Sequence, residues 1–130
     1  GLAEAGLSVL ASERFSGGSS VLTGRTLTAR LLERAPDLDC IYYSSDMTSV
    51  GGLMHCLANG IKVPDQLALS GFSGLDLLEG LPQKVATTNA SRFEMGKLAA
   101  GLVISAKKGS LSAEDRIVKL EAKIDIGDTL

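Results

Sequence analysis

The sequence predicts an α/β domain, a parallel sheet flanked by helices. Short apolar runs suited to strands alternate with segments of helical periodicity along the 130 residues. The connections between them are brief, and Gly, Pro or Asn stands at most of the stops. Strands that alternate with helices pair in parallel through right-handed crossovers.

The elements follow in order. Residues 2–6 read as the end of a helix, stopped by Gly6. Residues 7–11, LSVLA, form a short apolar strand, and the FSGGSS that spans 15–20 is a loop. Residues 21–34 are helical, with Leu27 and Leu31 one turn apart, Arg30 and Arg34 on a solvated face, and Pro36 as the stop. CIYY at 40–43 suits a strand buried on both faces. Ser44, Ser45 and Asp46 come next. A helix then opens whose inner face is Met47, Val50, Met54 and Leu57, and Asn59 and Gly60 close it.

Residues 67–69 are another strand, 71–74 a turn, 75–79 a helical turn and 85–88 a further strand. Ser91 and Glu94 have capping-box spacing. They open an amphipathic helix with the stripe Met95, Leu98, Ala99, Leu102, Val103 and Ala106, ended by Lys107, Lys108 and Gly109. Two late strand pieces are expected at 117–122 and 124–126.

Composition narrows the function. Hydrophobic residues are 45%, charged residues 22% and the formal net charge is −2, the profile of a globular domain. That balance lacks the basic footprint of a nucleic-acid or anionic-lipid surface, so any DNA-reading part lies elsewhere. No apolar run approaches the roughly 18–20 residues that cross a bilayer, and no secretory leader pattern opens the chain. Cys40 and Cys56 read as two buried thiols in a reducing compartment, which gives a cytoplasmic location.

No constellation for catalysis stands out. His55 is the sole histidine and has no Cys, Asp or Glu at metal-ligand spacing. Ser73, within GFSG, is out of register for a nucleophile elbow, and Gly17-Gly18 falls short of a phosphate-binding motif. The expectation is a binding module with neither cofactor nor metal, and not an enzyme. In sheets of this class ligands bind beyond the carboxyl ends of strands, which singles out residues 44–47 and 73–75. Asp46 ends a strand and starts a helix, so it suits an N-cap. It also suits a second task, because a carboxylate accepts strong bonds from ligand hydroxyls.

Several pieces together resemble a known family. They are Leu31-Leu32, then Pro36-Asp37 and a strand that ends in Ser45-Asp46; the helix start from Met47 to Gly52; Gly60-Ile61-Lys62-Val63-Pro64-Asp65 with Leu69, Gly71 and Phe72; Pro82 with Thr87-Thr88; and Glu94-Met95-Gly96 with Ala99-Ala100. In this order they resemble the C-terminal part of the sensor domain of LacI/GalR-type transcriptional repressors, which has the type I periplasmic-binding-protein fold.

The resemblance implies a bacterial effector-sensing module. A sugar, sugar acid or similar polar metabolite would bind between two subdomains of a homodimer. The same protein would reach operator DNA through an N-terminal helix-turn-helix outside this chain, with no membrane role. It implies that residues 1–88 form the C-terminal subdomain, that the helix at 89–112 packs on the N-terminal one, and that 113–130 supply closing strands. The helix stripe is then partly uncovered in this chain. Ligand contacts would come from Asp46, Ser45, Ser73, Ser19 and Met47.

Three positions depart from the pattern: Ser73 stands for the usual Asp, Ser19 for a stacking aromatic, and Ile126 for an Arg. Losing a carboxylate and a ring points away from a pyranose or purine and toward a smaller or acidic ligand such as a sugar acid. The alternative is a periplasmic solute-binding protein of an ABC transporter with the same fold.

Overall fold

The structure is a computed structural model that describes residues 1–112, 114 and 117–130. Its helices are α1 (Val21–Arg34), α2 (Asp46–Ala58) and α3 (Arg92–Lys107), with short 3-10 helices at Leu2–Ala5 and Asp76–Gly80. Its strands are β1 (Cys40–Tyr42), β2 (Ala68–Ser73), β3 (Ala86–Asn89) and β4 (Lys123–Asp125), in the order β1-β2-β3-β4. The first two pairings are parallel, with Ile41 opposite Leu69 and Gly71 opposite Thr87. The third is antiparallel, with Thr88 opposite Ile124.

Helix α1 starts where Ser20 accepts the Thr23 N–H at 3.0 Å, so a side chain replaces the missing intrahelical acceptor. It packs against α2 at very short range. A Cβ at Gly24 would stand 2.0 Å from the Thr48 carbonyl oxygen, and one at Gly51 would stand 2.2 Å from that of Val21. Leu31, Ile41, Val50, Leu53, Leu67, Leu69, Leu78 and Val85 close the core between these helices and the sheet. Below it, Tyr43 reaches Thr28 at 2.8 Å. Burial raises the Tyr43 pKa, because phenolate would lie away from water.

A C-terminal clamp closes the amino ends of β2 and β3. The buried Thr129 hydroxyl donates to the Leu69 carbonyl at 2.7 Å and accepts the Ala86 N–H at 2.8 Å. Its backbone carbonyl accepts the Leu69 N–H at 2.9 Å. Beside it, Asp128 accepts the Lys84 N–H at 2.8 Å.

Several expectations need correction. Residues 7–11 make no ladder. They lie against β1's free edge across an apolar cavity of about 730 Å³. β1 buries Ile41, as the residue after it buries Tyr43, but it exposes Cys40 and Tyr42, so it is not covered on both faces and only Cys56 is a buried thiol. The inner face of α2 is Ser49, Val50, Leu53 and Cys56; Leu57 faces solvent.

Residues 71–73 continue β2 and do not turn, because each is paired with β3. Ser91 takes a left-handed conformation (φ 49°) and makes no side-chain cap, so the capping box is not formed. β4 runs antiparallel, and 117–122 lie outside any strand. The expected closing segment opens at residue 113, which with 115 and 116 lies outside the described residues. Helix α3 has no buried residue, and its stripe is partly uncovered as expected, with Met95 and Val103 exposed and Leu98 and Leu102 half-buried.

Candidate functional site

Asp46 stands where β1 gives way to α2, and its side chain reaches β3 and the loop after β2. Tyr43 N–H donates to Ser70 at 2.7 Å, which carries β1 one residue beyond its ladder and sets the loop of Ser44 and Ser45 above β2. Ser45 is the N-cap residue of α2, and its carbonyl accepts from Thr48 and Ser49. Asp46 is therefore the first helical residue and not the cap. Its side chain turns away from its own helix and into the sheet.

Asp46 is 0% exposed. One carboxylate oxygen, Oδ1, accepts the Thr87 hydroxyl at 2.7 Å, and Oδ2 accepts the Leu75 N–H at 2.8 Å. Thr87 Oγ1 in turn accepts the Gly74 N–H at 3.3 Å. The carboxylate so ties α2 to β3 and to the loop after β2. Gly71 makes this possible: a Cβ there would stand 2.4 Å from Asp46 Oδ1. A buried carboxylate requires such donors, since an unpaired one costs several kcal/mol.

Ser45 and Met47 flank Asp46 and are half-buried. Ser73 is half-buried at the end of β2, with φ 118°, ahead of Gly74 at φ 70°. Ser, with a small side chain, tolerates such φ only at a conformational cost. These four residues form one group around the Asp46–Leu75 contact. Ser19 stands apart, exposed in the loop ahead of α1, with no hydrogen bond to Asp46 or Ser73.

Three further residues belong to this rim. Thr87 carries the buried donor to Asp46. Asn89 lies opposite Ser73 in the ladder and accepts the Ser91 N–H at 2.8 Å through Oδ1. Arg92 donates to the Gly74 carbonyl at 3.3 Å. The Thr87-Thr88 pair was visible in the sequence as a strand end, but nothing along the chain linked it to Asp46, 41 residues away. Ile126 is exposed just past β4, next to Asp125, which stands opposite Thr87 in the ladder.

Comparisons with known proteins agree with this architecture. The family model of the periplasmic binding protein-like domain matches residues 1–130. The HTH-type transcriptional regulator IdnR of Escherichia coli is 30% identical over 112 residues, which are 86% of this chain and 33% of that protein. The HTH-type transcriptional regulator GntR of the same species is 30% identical over 91 residues, 70% of this chain and 28% of that protein. The chain thus spans about a third of the length of these curated relatives.

Among solved structures, a LacI-family transcriptional regulator from Silicibacter pomeroyi superposes with a TM-score of 0.87 at 44% identity, over 98% of this chain and 38% of that one. The transcription regulator GntR from Chromobacterium violaceum superposes with a TM-score of 0.81 at 26% identity, over 86% of this chain and 41% of that one. The chain belongs to the periplasmic binding protein-like domain family, on the side of it formed by the sensor domains of LacI-type transcriptional regulators.

Proposed function

We propose that this chain is the C-terminal part of the effector-sensing domain of a LacI/GalR-type repressor. In this reading residues 1–88 are one wall of the ligand cleft. The helix at 89–112 packs on the N-terminal subdomain, and the remainder closes the sheet. The effector is a sugar, a sugar acid or a similar polar metabolite. Its binding draws the two subdomains together and shifts a cytoplasmic homodimer between operator-competent and incompetent states. Operator DNA is read by a helix-turn-helix in another part of the protein, and the module performs no catalysis.

The observation that carries this is the Asp46 carboxylate, which stands just past β1 at the start of α2 and holds β3 through Thr87 and the loop after β2 through Leu75, beside the strand-end loops where open α/β sheets hold ligands. Ser45, Met47 and Ser73 surround that point and are assigned as ligand contacts. Ser19 joins them only if the loop ahead of α1 folds over the cleft. Asp46 itself acts chiefly as the positioning residue, with its two oxygens already engaged. The relatives named above are transcription regulators, which favours this reading over a transporter's solute-binding protein.

The test uses the full-length protein. Thermal shift is measured against neutral hexoses, pentoses, and hexonic and hexuronic acids, together with operator-fragment retention. At least one compound should raise Tm and change retention over the same concentration range. Retention unresponsive to every compound that binds would sink the repressor-sensor reading.

A further inference from the structure

One contact at the cleft rim is left without a task. Arg92 opens α3, and its Nη2 donates to the Gly74 carbonyl at 3.3 Å. Among the described residues this is the hydrogen bond that ties α3 to the strand-end loops. It lies on the loop whose next residue, Leu75, donates to Asp46. A guanidinium carries five N–H donors in a planar fork, and Arg92 has no carboxylate partner among the described residues. The contact to Gly74 is long and exposed, so a stronger acceptor readily replaces it.

The groups beside Arg92 are donors as well. Ser73 ends β2 with a hydroxyl where a carboxylate would repel an anion. Asn89 spends Oδ1 on the Ser91 N–H, which leaves its Nδ2 toward Gly74: a Cβ at Gly74 would stand 2.8 Å from that nitrogen. The carboxylate of the group, Asp46, is buried with both oxygens occupied. Asp76 follows on the exposed 3-10 helix and makes no ion pair with Arg92. A rim of donors with a forked cation is built for a carboxylate carrying neighbouring hydroxyls.

We infer that Arg92 is the specificity-determining residue of the cleft: it takes the carboxylate of a hydroxylated organic acid in a forked pair and so selects acids over neutral sugars. This rests on the strand-end cleft being the effector site. Because Arg92 is also the first residue of α3, the bound acid is joined to that helix.

The experiment measures calorimetric affinities of the full-length protein for potassium hexonates and hexuronates beside the neutral hexoses. It compares the wild type with Arg92→Gln, Arg92→Lys and the control Lys97→Gln, an exposed charge of the same helix outside the rim. Wild type should prefer an acid. Arg92→Gln should weaken that acid about tenfold or more, consistent with loss of a charge-assisted pair, and abolish the preference. Arg92→Lys should recover part of it, and Lys97→Gln should match wild type. Circular dichroism checks that each variant folds.

Acid binding unchanged in Arg92→Gln, or wild type that binds only neutral sugars, overturns the inference and leaves the sensor reading standing. A full-length protein that binds no compound of either class overturns both.

Discussion

Thr87 and Asp46 are 41 residues apart in sequence, yet the Thr87 hydroxyl donates to the buried Asp46 carboxylate at 2.7 Å, joining β3 to the start of α2. Thr87→Val should cost about 1–3 kcal/mol, because it leaves Oδ1 buried without its donor. Asp46→Ala, which also strands the Leu75 N–H, should cost about 2–5 kcal/mol. Urea unfolding of the two single variants and the double variant gives the coupling, expected to be at least about 1 kcal/mol. Additive losses would mean that the contact contributes little.

Gly24 offers a test in which the usual sign reverses. Replacing a helical Gly with Ala ordinarily stabilises by about 1 kcal/mol. Here the new Cβ would meet the Thr48 carbonyl at 2.0 Å, a backbone atom that cannot swing aside. Gly24→Ala should therefore destabilise, by about 1–3 kcal/mol, as α1 and α2 are forced apart. A rise in the urea midpoint would refute this packing.

Thr129 bonds both β2 and β3 from the far end of the sheet. Thr129→Val keeps the shape but leaves the Ala86 N–H and the Leu69 carbonyl short of a partner, at a cost of about 1–3 kcal/mol. Thr129→Ser keeps the hydroxyl and should lose less than half of that. Equal losses for the two would indicate that the methyl group, and not the hydroxyl, matters.

Lys84 lies 2.7 Å from both Glu79 and Asp125. The Lys84 ammonium, with help from the Gly127 N–H, holds the Asp125 carboxyl below the usual carboxylate range; the two acids raise Lys84. The sign follows. Asp125 contributes stability above its unfolded pKa and loses it as pH falls through its lowered folded value. Lys84 contributes below its unfolded pKa and loses it as pH rises through its raised one. Both groups remain in reach of solvent, so the effect is small and screened by salt. In Lys84→Met, NMR titration should show the Asp125 midpoint move upward toward the ordinary range.

Helix α3 exposes Phe93 at 82% and Val103 at 62%. In this chain Phe93→Ser and Val103→Ser should change stability by no more than about 0.5 kcal/mol. In the longer protein, where the proposed N-terminal subdomain covers α3, Phe93→Ser should cost about 2–4 kcal/mol. Equal effects in the two proteins would argue against that packing.

Much of the fold was legible because it is written in local chemistry. Gly6 as the stop of the first helical turn, Pro36 past α1 and the left-handed Gly60 and Gly109 act within a few residues of themselves. Residues 7–11 show the limit of such signals. Their apolar run marks a strand, but a strand exists only when a partner's edge meets it, and β1's edge does not. The antiparallel run of β4 has a related cause: hydropathy marks a strand near 124–126 but is the same whichever way the strand runs.

The candidate site divides in the same way. Residue type and position alone determined that Asp46, Ser45 and Met47 stand where a strand gives way to a helix, and that Ser73 lies near the end of a second strand. The tertiary structure decided what they do there. Parallel pairing set Gly71 beside Thr87 and opened the space in which Asp46 meets Thr87 and Leu75, which turned an expected helix cap into a buried tie between three elements. It also brought Arg92 to Gly74. Caps and turns are decided by neighbours along the chain, whereas the partners of a buried carboxylate are decided by which strand ends the sheet places side by side.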